Sequence, residues 1–464
     1  MPWEPMTDLE EDLRPTRHLG GPPRFRAFGD RQLAEIPQLA ELAPGHVEDM
    51  QVVASVLPFR VSEYVLSELI DWTRVPNDPL FQLTFPQPGM LAPEHFEEMA
   101  VLHKSGASPE DRKTAAAAIR AELNPHPAGQ REHNVPLWKG EPLNGIQHKY
   151  RETVLVFPSQ GQTCHSYCTF CFRWAQFVHQ SELKMAAVDM ESVRSYLADH
   201  EAVSDILITG GDPMVMKTRV LEQYLRPLLA PEFDHIQTIR IGTKALTFWP
   251  RRFTSDPDAG DLLALLRSLV AAGKHVALMA HFDHWRELDT PSCRDAVRAL
   301  REAGVVLRSQ APLLRHVNDD PEVWAKMWRM QVRMGIIPYY MFVERDTGAR
   351  RYFEVPLARA HEIYTQAIRK VSGLARTVRG PSMSCGPGKI EITGISEIAG
   401  EKVFALRFLQ ARNPEWVGRP FYAQFDAQAT WLDDLRPAFG EEAFFFEAEY
   451  AEILTPIDPE LHLQ

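Results

Sequence analysis

The sequence predicts an α/β fold in which βα units wind around a parallel sheet, and three observations predict it. From Arg151 onward, short apolar runs alternate with amphipathic stretches. Glycines stand where helices must stop before strands, as at Gly273 and Gly304. Residues able to carry chemistry recur just after the strand candidates, where α/β proteins place their sites.

Residues 1–145 read as a mainly helical extension with irregular, proline-rich links. Within it Ser108-Pro109-Glu110-Asp111 starts a helix, Ser108 capping and Pro109 at the first helical position. The run TAAAAIRAEL continues it with high helix propensity, and Asn124-Pro-His-Pro begins a break that lasts to Gly140. Residues 146–345 carry six strand candidates: Thr153–Phe157, Asp205–Ile208, Thr238–Ile241, His275–Met279, Val305–Leu307 and Ile336–Phe342. Between them lie helical stretches such as ESVRSYLADH, LLALLRSLVAAG and CRDAVRALREAG. Right-handed crossovers would close such units into a full or partial barrel. Residues 346–464 form an irregular α+β region with the loop GPSMSCGPGK, strand-like IEIT and KVFALRFL, and an aromatic, acidic tail. Phe444–Phe446 in that tail read as packing. No internal repeat has a solenoid period.

The 464 residues can bury a large core, and 45% hydrophobic content is ordinary for a globular enzyme. A net charge of −12 argues against general affinity for nucleic acid or anionic membranes. Five cysteines, three of them clustered, make no disulfide framework and fit a reducing interior. The stretch MPWEPMTDLEEDLRP lacks an apolar signal core, and no run of eighteen apolar residues exists. A cytoplasmic protein is expected.

The three clustered cysteines are Cys164, Cys168 and Cys171, spaced C-x3-C-x2-C after the first strand, with Cys293 and Cys385 far downstream. Three thiolates suit a [4Fe–4S] cube, which usually takes four, and so leave one iron open for chemistry. A zinc site remains an alternative, although structural zinc closes with four ligands and no second knuckle is near. A redox pair of Cys168 and Cys171 is another, but it leaves Cys164 unexplained. Gly210-Gly211-Asp212, His281 and Gln310 follow later strands and so line up at the same end of the sheet. GGDP alone is a common turn, and the His281/His284 pair reads as packed or solvent-facing rather than as metal ligands.

The cysteine run followed by a Gly-Gly-acid motif resembles the radical S-adenosylmethionine superfamily and, more narrowly, the lysine 2,3-aminomutase family. The resemblance spans residues 70–410 and rests on His148-Lys149-Tyr150, LITGGDP, IRIGT, HFDH, SQAPLLRHVND, PYY and GPGK, in that order. It implies a partial (β/α)6 TIM-like barrel, with Cys164, Cys168 and Cys171 as cluster ligands. S-adenosylmethionine would chelate the open iron and, on one-electron reduction, yield a 5′-deoxyadenosyl radical. Gly210, Gly211 and Asp212 would meet its amine, with His281 and Gln310 nearby. Lys389 would form a Schiff base with pyridoxal 5′-phosphate, which requires a neutral amine. Lys149 stands where relatives carry an arginine for the phosphate. Arg173 would take the substrate carboxylate through paired hydrogen bonds.

The chain departs from the pattern at the substrate's far end. The two positions that carry aspartates for a distal ammonium hold Arg345, with Asp346 next to it, and Ser382. Such a site repels a distal ammonium and suits an acidic or neutral amino acid, whereas a one-residue loop shift would bring Asp346 into play. The family's zinc-binding cysteines are absent, so no structural zinc is expected, and the zinc-linked dimer contact is lost. The resemblance implies an amino-acid substrate and a one-electron reductant such as flavodoxin or ferredoxin, and it is compatible with a homo-oligomer; neither nucleic acid nor membrane is an expected partner. The leading reading is a pyridoxal phosphate-dependent aminomutase moving an α-amino group to the β carbon. The alternatives are a related radical enzyme acting without pyridoxal phosphate and a non-catalytic Fe–S or zinc-binding interaction protein.

Overall fold

The computed structural model describes residues 25–43, 45–125, 133–178, 186 and 190–455. The acidic N-terminal stretch and part of the expected break after Asn124 lie outside them. The described residues form an α/β fold whose centre is one sheet of eleven strands, numbered β1–β11 in chain order. These are Ile146–Tyr150, Thr153–Val156, Asp205–Ile208, Thr238–Thr243, His275–His281, Val306–Leu313, Ile336–Val343, Arg379–Ser384, Gly388–Ile398, Glu401–Ala411 and Pro420–Gln424. Each strand lies beside its sequence neighbour throughout.

Strands β2 to β8 are mutually parallel, and the sheet turns antiparallel at both margins. Helices Met190–Ala198, Thr218–Leu225, Ala259–Ala271, Pro291–Glu302, Pro321–Met334 and Leu357–Ile368 fill the successive crossovers. Gly273 and Gly304 adopt φ of 90° and 81° after two of them, the left-handed stop that the pattern predicts. Period-two alternation then sorts the side chains. On β4, Ile239 and Ile241 are fully buried in the main core, while Arg240 and Gly242 on the opposite face are half-buried. Arg308 and Gln310 on β6 alternate in the same way.

The strands run further than their apolar runs suggest. β5 includes His281 and β6 includes Gln310, so these residues sit at or inside strand ends rather than after them. Backbone pairing with parallel neighbours carries the polar stretch SQAPL into the sheet. The GPSMSCGPGK segment, read as a loop, is largely strand β8, a seventh parallel strand, and Lys389 lies in β9. Gly and Pro there mask a strand that tertiary pairing imposes.

The N-terminal region builds a second core. Ser108 caps helix Pro109–Leu123 as expected, accepting from the Asp111 amide at 3.1 Å. Phe81 and Phe85 stack at 4.5 Å within this core. Phe170 and Trp174 of the cysteine segment pack into the same cluster. A third core joins β9–β11 to Trp431, Phe444 and Phe446 of the tail, so those phenylalanines pack as expected.

Candidate active site

The cysteine segment is held from outside by the N-terminal region. The Tyr167 amide donates to the Arg60 carbonyl at 2.8 Å and the Thr169 amide to that of Leu83 at 3.0 Å. The Ser62 amide donates to Ser166 Oγ at 2.8 Å. On the other side, Trp174 Nε1 donates to Thr347 Oγ1 at 3.0 Å, tying the segment to the loop after β7. Cys164, Cys168 and Cys171 are free, half-buried thiols on this fixed backbone.

The Gly-Gly-Asp motif after β3 locks against the same segment. The Gly211 amide donates to the Gly161 carbonyl at 2.9 Å, and the Asp212 amide to that of Thr163 at 2.8 Å. A Cβ on Gly211 would collide with the Thr163 backbone, so glycine here serves the close approach of two backbone segments of the chain. The Asp212 side chain is buried and spent. It accepts from Thr243 Oγ1 at 2.8 Å and from the amides of Lys244 at 2.8 Å and Met214 at 2.9 Å. His165 Nε2 lies 3.4 Å away. These contacts make Asp212 a joint between the ends of β3 and β4 and the residue after Cys164.

His281 and Gln310 sit opposite each other on β5 and β6. The His281 ring stacks on Phe170, centroids 5.8 Å apart, which brings it to the cysteine segment. Beside it lies a buried network that the sequence reading missed. Lys244 Nζ pairs with Asp283 Oδ2 at 2.6 Å and Glu287 Oε1 at 2.7 Å. Burial alone would depress the Lys244 ammonium, but the two carboxylates hold it charged, above its ordinary value. Glu344, just beyond β7, is also buried, and burial pushes its carboxyl well above the carboxylate range. The HFDH motif did signal Asp283; Glu344 left no signal.

Lys389 lies at the other part of the site. Its Nζ sits 3.9 Å from the Tyr340 ring centroid and 5.3 Å from that of Phe342, and donates to Gln410 Oε1 at 3.3 Å. Burial, reinforced by Arg240, Lys149 and Arg379, brings its amine down to about 7. Lys149 Nζ donates to the Cys385 carbonyl. Burial, with Arg412 and Arg345 nearby, likewise brings Lys149 down to about 7. Both amines are thus held at the edge of neutrality at physiological pH, as an imine-forming lysine requires.

Arg173 connects the two parts. Its Nη1 donates to the Gly210 carbonyl at 2.8 Å and to Thr209 Oγ1 at 3.3 Å, and its guanidinium lies over the Phe157 and Phe172 rings. Burial pulls it down to about 10, so it stays charged at neutral pH. Arg345 is sandwiched by Phe172 and Trp431, 5.4 and 5.8 Å from their centroids. Its Nε is buried without a hydrogen-bond partner, 3.9 Å from Asp346 Oδ1. Ser382 is fully buried, its hydroxyl 3.4 Å from the Met341 carbonyl. Cys293 is buried inside helix Pro291–Glu302.

Among the described residues no three His, Cys, Asp or Glu side chains converge as ligands of a single ion do. A cube binds each thiolate through a different iron, so three separate thiols around one turn fit a cluster better than a closed zinc site. The donor set at Lys389, an amine near neutrality amid cations, fits a phosphorylated aldehyde.

One relative decides the family. A protein of Aquifex aeolicus provisionally named L-lysine 2,3-aminomutase is 30% identical over 404 residues, covering 87% of this chain and 94% of its own. The chain belongs to the lysine 2,3-aminomutase family. It is an enzyme of the radical isomerase type, and membership implies a [4Fe–4S] cluster and S-adenosylmethionine. L-lysine 2,3-aminomutase of Fusobacterium nucleatum is 29% identical over 52% of this chain and 53% of that protein. Glutamate 2,3-aminomutase of Clostridioides difficile is 27% identical over 50% of this chain and 52% of that protein. No protein-family model matches. Among solved structures, SuiB of Streptococcus suis bound to its precursor peptide SuiA matches with a TM-score of 0.33 at 14% identity, over 68% of this chain and 66% of that one. Among the described residues of this aminomutase-family chain, no helix is long and apolar enough to cross a membrane.

Proposed function

We propose that this chain is a pyridoxal phosphate-dependent 2,3-aminomutase acting on an α-amino acid with a distal carboxylate. The observation that carries the reading is a buried, near-neutral Lys389 together with Arg345, whose buried Nε has no hydrogen-bond partner and only a 3.9 Å contact with Asp346 Oδ1. In this reading residues 146–345 form the radical domain, a partial (β/α)6 barrel, between the helical extension 1–145 and the region 346–464. Cys164, Cys168 and Cys171 hold the cluster. Gly210 presents its carbonyl, with Arg173, towards S-adenosylmethionine, and His281 and Gln310 flank it.

When bound, the cluster and S-adenosylmethionine supply a carbon radical, and pyridoxal phosphate supplies a covalent hold on the migrating amine. The protein's part is placement. Lys389 gives up its proton readily because burial and the neighbouring Arg240, Lys149 and Arg379 disfavour the charged form. Arg173 is suited to the substrate's α-carboxylate and Arg345 to its distal one, each by charge-assisted hydrogen bonds. The aromatic faces around Arg345 limit its rotation and exclude water. A distal ammonium would face like charge there, which supports an acidic substrate over lysine. The relative named glutamate 2,3-aminomutase has that substrate chemistry.

The test is anaerobic turnover of reconstituted, reduced protein with a panel of acidic, neutral and basic amino acids, assayed for β-amino acids. β-Glutamate or a comparable diacid product is expected. Exclusive turnover of lysine would defeat the substrate assignment. Turnover that proceeds unchanged without pyridoxal phosphate would defeat the cofactor assignment.

A further inference from the structure

The turn leading to Lys389 carries an excess of positive charge that the proposed chemistry does not yet use. Lys149 on β1 donates to the carbonyl of Cys385. Arg412, just past the end of β10, donates through Nε to the next carbonyl, Gly386, at 3.0 Å. Two basic side chains far apart in the sequence therefore sit on successive carbonyls of one turn. Among the described residues neither forms a salt bridge. The remaining Arg412 contacts are to neutral acceptors, the His133 carbonyl at 2.9 Å and Asn134 Oδ1 at 2.6 Å. Bringing two partly buried cations together without a carboxylate costs folding energy, and proteins accept that cost where an anion will bind.

Hydroxyls surround the same turn. Tyr450, on the helix Glu447–Leu454, hydrogen-bonds to Arg412 and stands against Gly386, where any Cβ would collide with its hydroxyl. Tyr150 follows Lys149 and feels the Arg412 charge. Of the nearby carboxylates, Glu449 accepts from Asn413 and from Trp416 Nε1, and Asp433 lies within electrostatic reach of Cys385 and Tyr450. Gly386 and Gly388 leave the turn narrow, with Lys389 directly after it.

We infer that Arg412 and Lys149 together seat a phosphate monoester, the phosphate of pyridoxal phosphate, with Tyr450 closing the turn over it. The inference rests on the pyridoxal phosphate reading of Lys389. It gives this chain a guanidinium for the phosphate in place of the arginine that Lys149 replaces. A planar fork supplies two parallel donors where an ammonium supplies a point charge. It also gives the C-terminal helix a task, since that helix holds Tyr450 against the turn.

The experiment compares adduct formation at Lys389 with pyridoxal phosphate and with unphosphorylated pyridoxal, followed by visible absorbance and by borohydride trapping with peptide mapping. Wild type is expected to saturate at a far lower concentration of the phosphorylated form. Arg412→Gln should raise the half-saturating concentration of pyridoxal phosphate roughly 10- to 100-fold and leave that of pyridoxal unchanged. Arg412→Lys should recover part of the loss. Inorganic phosphate should compete in wild type and much less in Arg412→Gln. Equal weakening of both aldehydes in Arg412→Gln, or no change in either, overturns the inference and leaves Arg412 a tie for the turn. If wild type forms no adduct with either aldehyde, the pyridoxal phosphate reading fails first and this one with it.

Discussion

The cysteine end and the Lys389 end of this site are charged in opposite senses. Around the cysteines, Asp212, Asp283 and Glu287 are buried, the last two against Lys244. Around Lys389, the amines of Lys389 and Lys149 and the guanidinium of Arg412 gather with no ion pair of their own among the described residues, while Arg240 pairs with Asp205 and Arg345 Nε lies 3.9 Å from Asp346 Oδ1. An acid-rich pocket favours a cationic ligand, and the sulfonium and ammonium of S-adenosylmethionine are cationic. A cation-rich pocket favours phosphate and carboxylate. The asymmetry supports the proposed placement of the two cofactors, with Arg173 at the border because it touches the Gly210 carbonyl on one side and the Phe172 ring, shared with Arg345, on the other.

If the two ends are separate machines, each should fail alone. Lys389→Ala is expected to lower isomerisation by at least about 10³-fold while the reduced enzyme still cleaves S-adenosylmethionine. Cys168→Ala should do the converse, losing iron and cleavage but keeping the pyridoxal phosphate absorbance. Iron analysis, deoxyadenosine assay and visible spectra read both variants. Loss of cleavage in Lys389→Ala would show that the ends are not independent.

The acidic end also makes a claim about folding. Lys244→Met would leave Asp283 and Glu287 buried without their cation, which costs about 3–5 kcal/mol. Denaturant unfolding should show that loss, and Lys244→Met combined with Glu287→Gln should restore part of it. An unchanged midpoint for the single variant would mean that the network carries no structural burden.

The two ends were unequally legible in the sequence. Cysteine spacing is local, so C-x3-C-x2-C and GGDP could be read directly, and the βα rhythm located the strands that bring them together. What the motif did not say is why its glycines are there: Gly211 answers to the Thr163 backbone, a contact 48 residues away along the chain. The Lys244 network was missed because its members are spread over the stretches after β4 and after β5, each ordinary alone. Strand β8 was missed because Gly380, Pro381 and Gly386 signal a loop, while pairing with β7 and β9 decides otherwise. Arg412 and Tyr450 carry no motif; only the fold brings them to Gly386. For Ser382 a linear count gives the position but not its burial or the neighbour of its hydroxyl.

The substrate end can be inverted. Arg345→Asp should weaken turnover of a diacid by roughly 10- to 100-fold, the worth of a charge-assisted hydrogen bond, and raise that of a basic amino acid. Competition assays with paired substrates measure the ratio directly. A variant that loses the diacid without gaining on the base would still assign Arg345 to the distal carboxylate; unchanged preference would remove it from the site.

The smallest effect concerns protons at the cationic end. Lys389 has an ordinary value of 10.5 and is brought to about 7 in the fold. A depressed lysine costs stability wherever the unfolded chain would hold a proton that the fold refuses. Between about 7 and 10.5 the unfolded chain binds more protons, so this residue's contribution to stability rises with pH across that window. Adduct formation with pyridoxal phosphate should follow the free amine and increase as pH rises through about 7. Lys149→Met removes one of the like charges that depress it, so the midpoint should move upward in that variant. A midpoint near the ordinary lysine value in wild type would show that the cations around Lys389 do not act on it as the geometry requires.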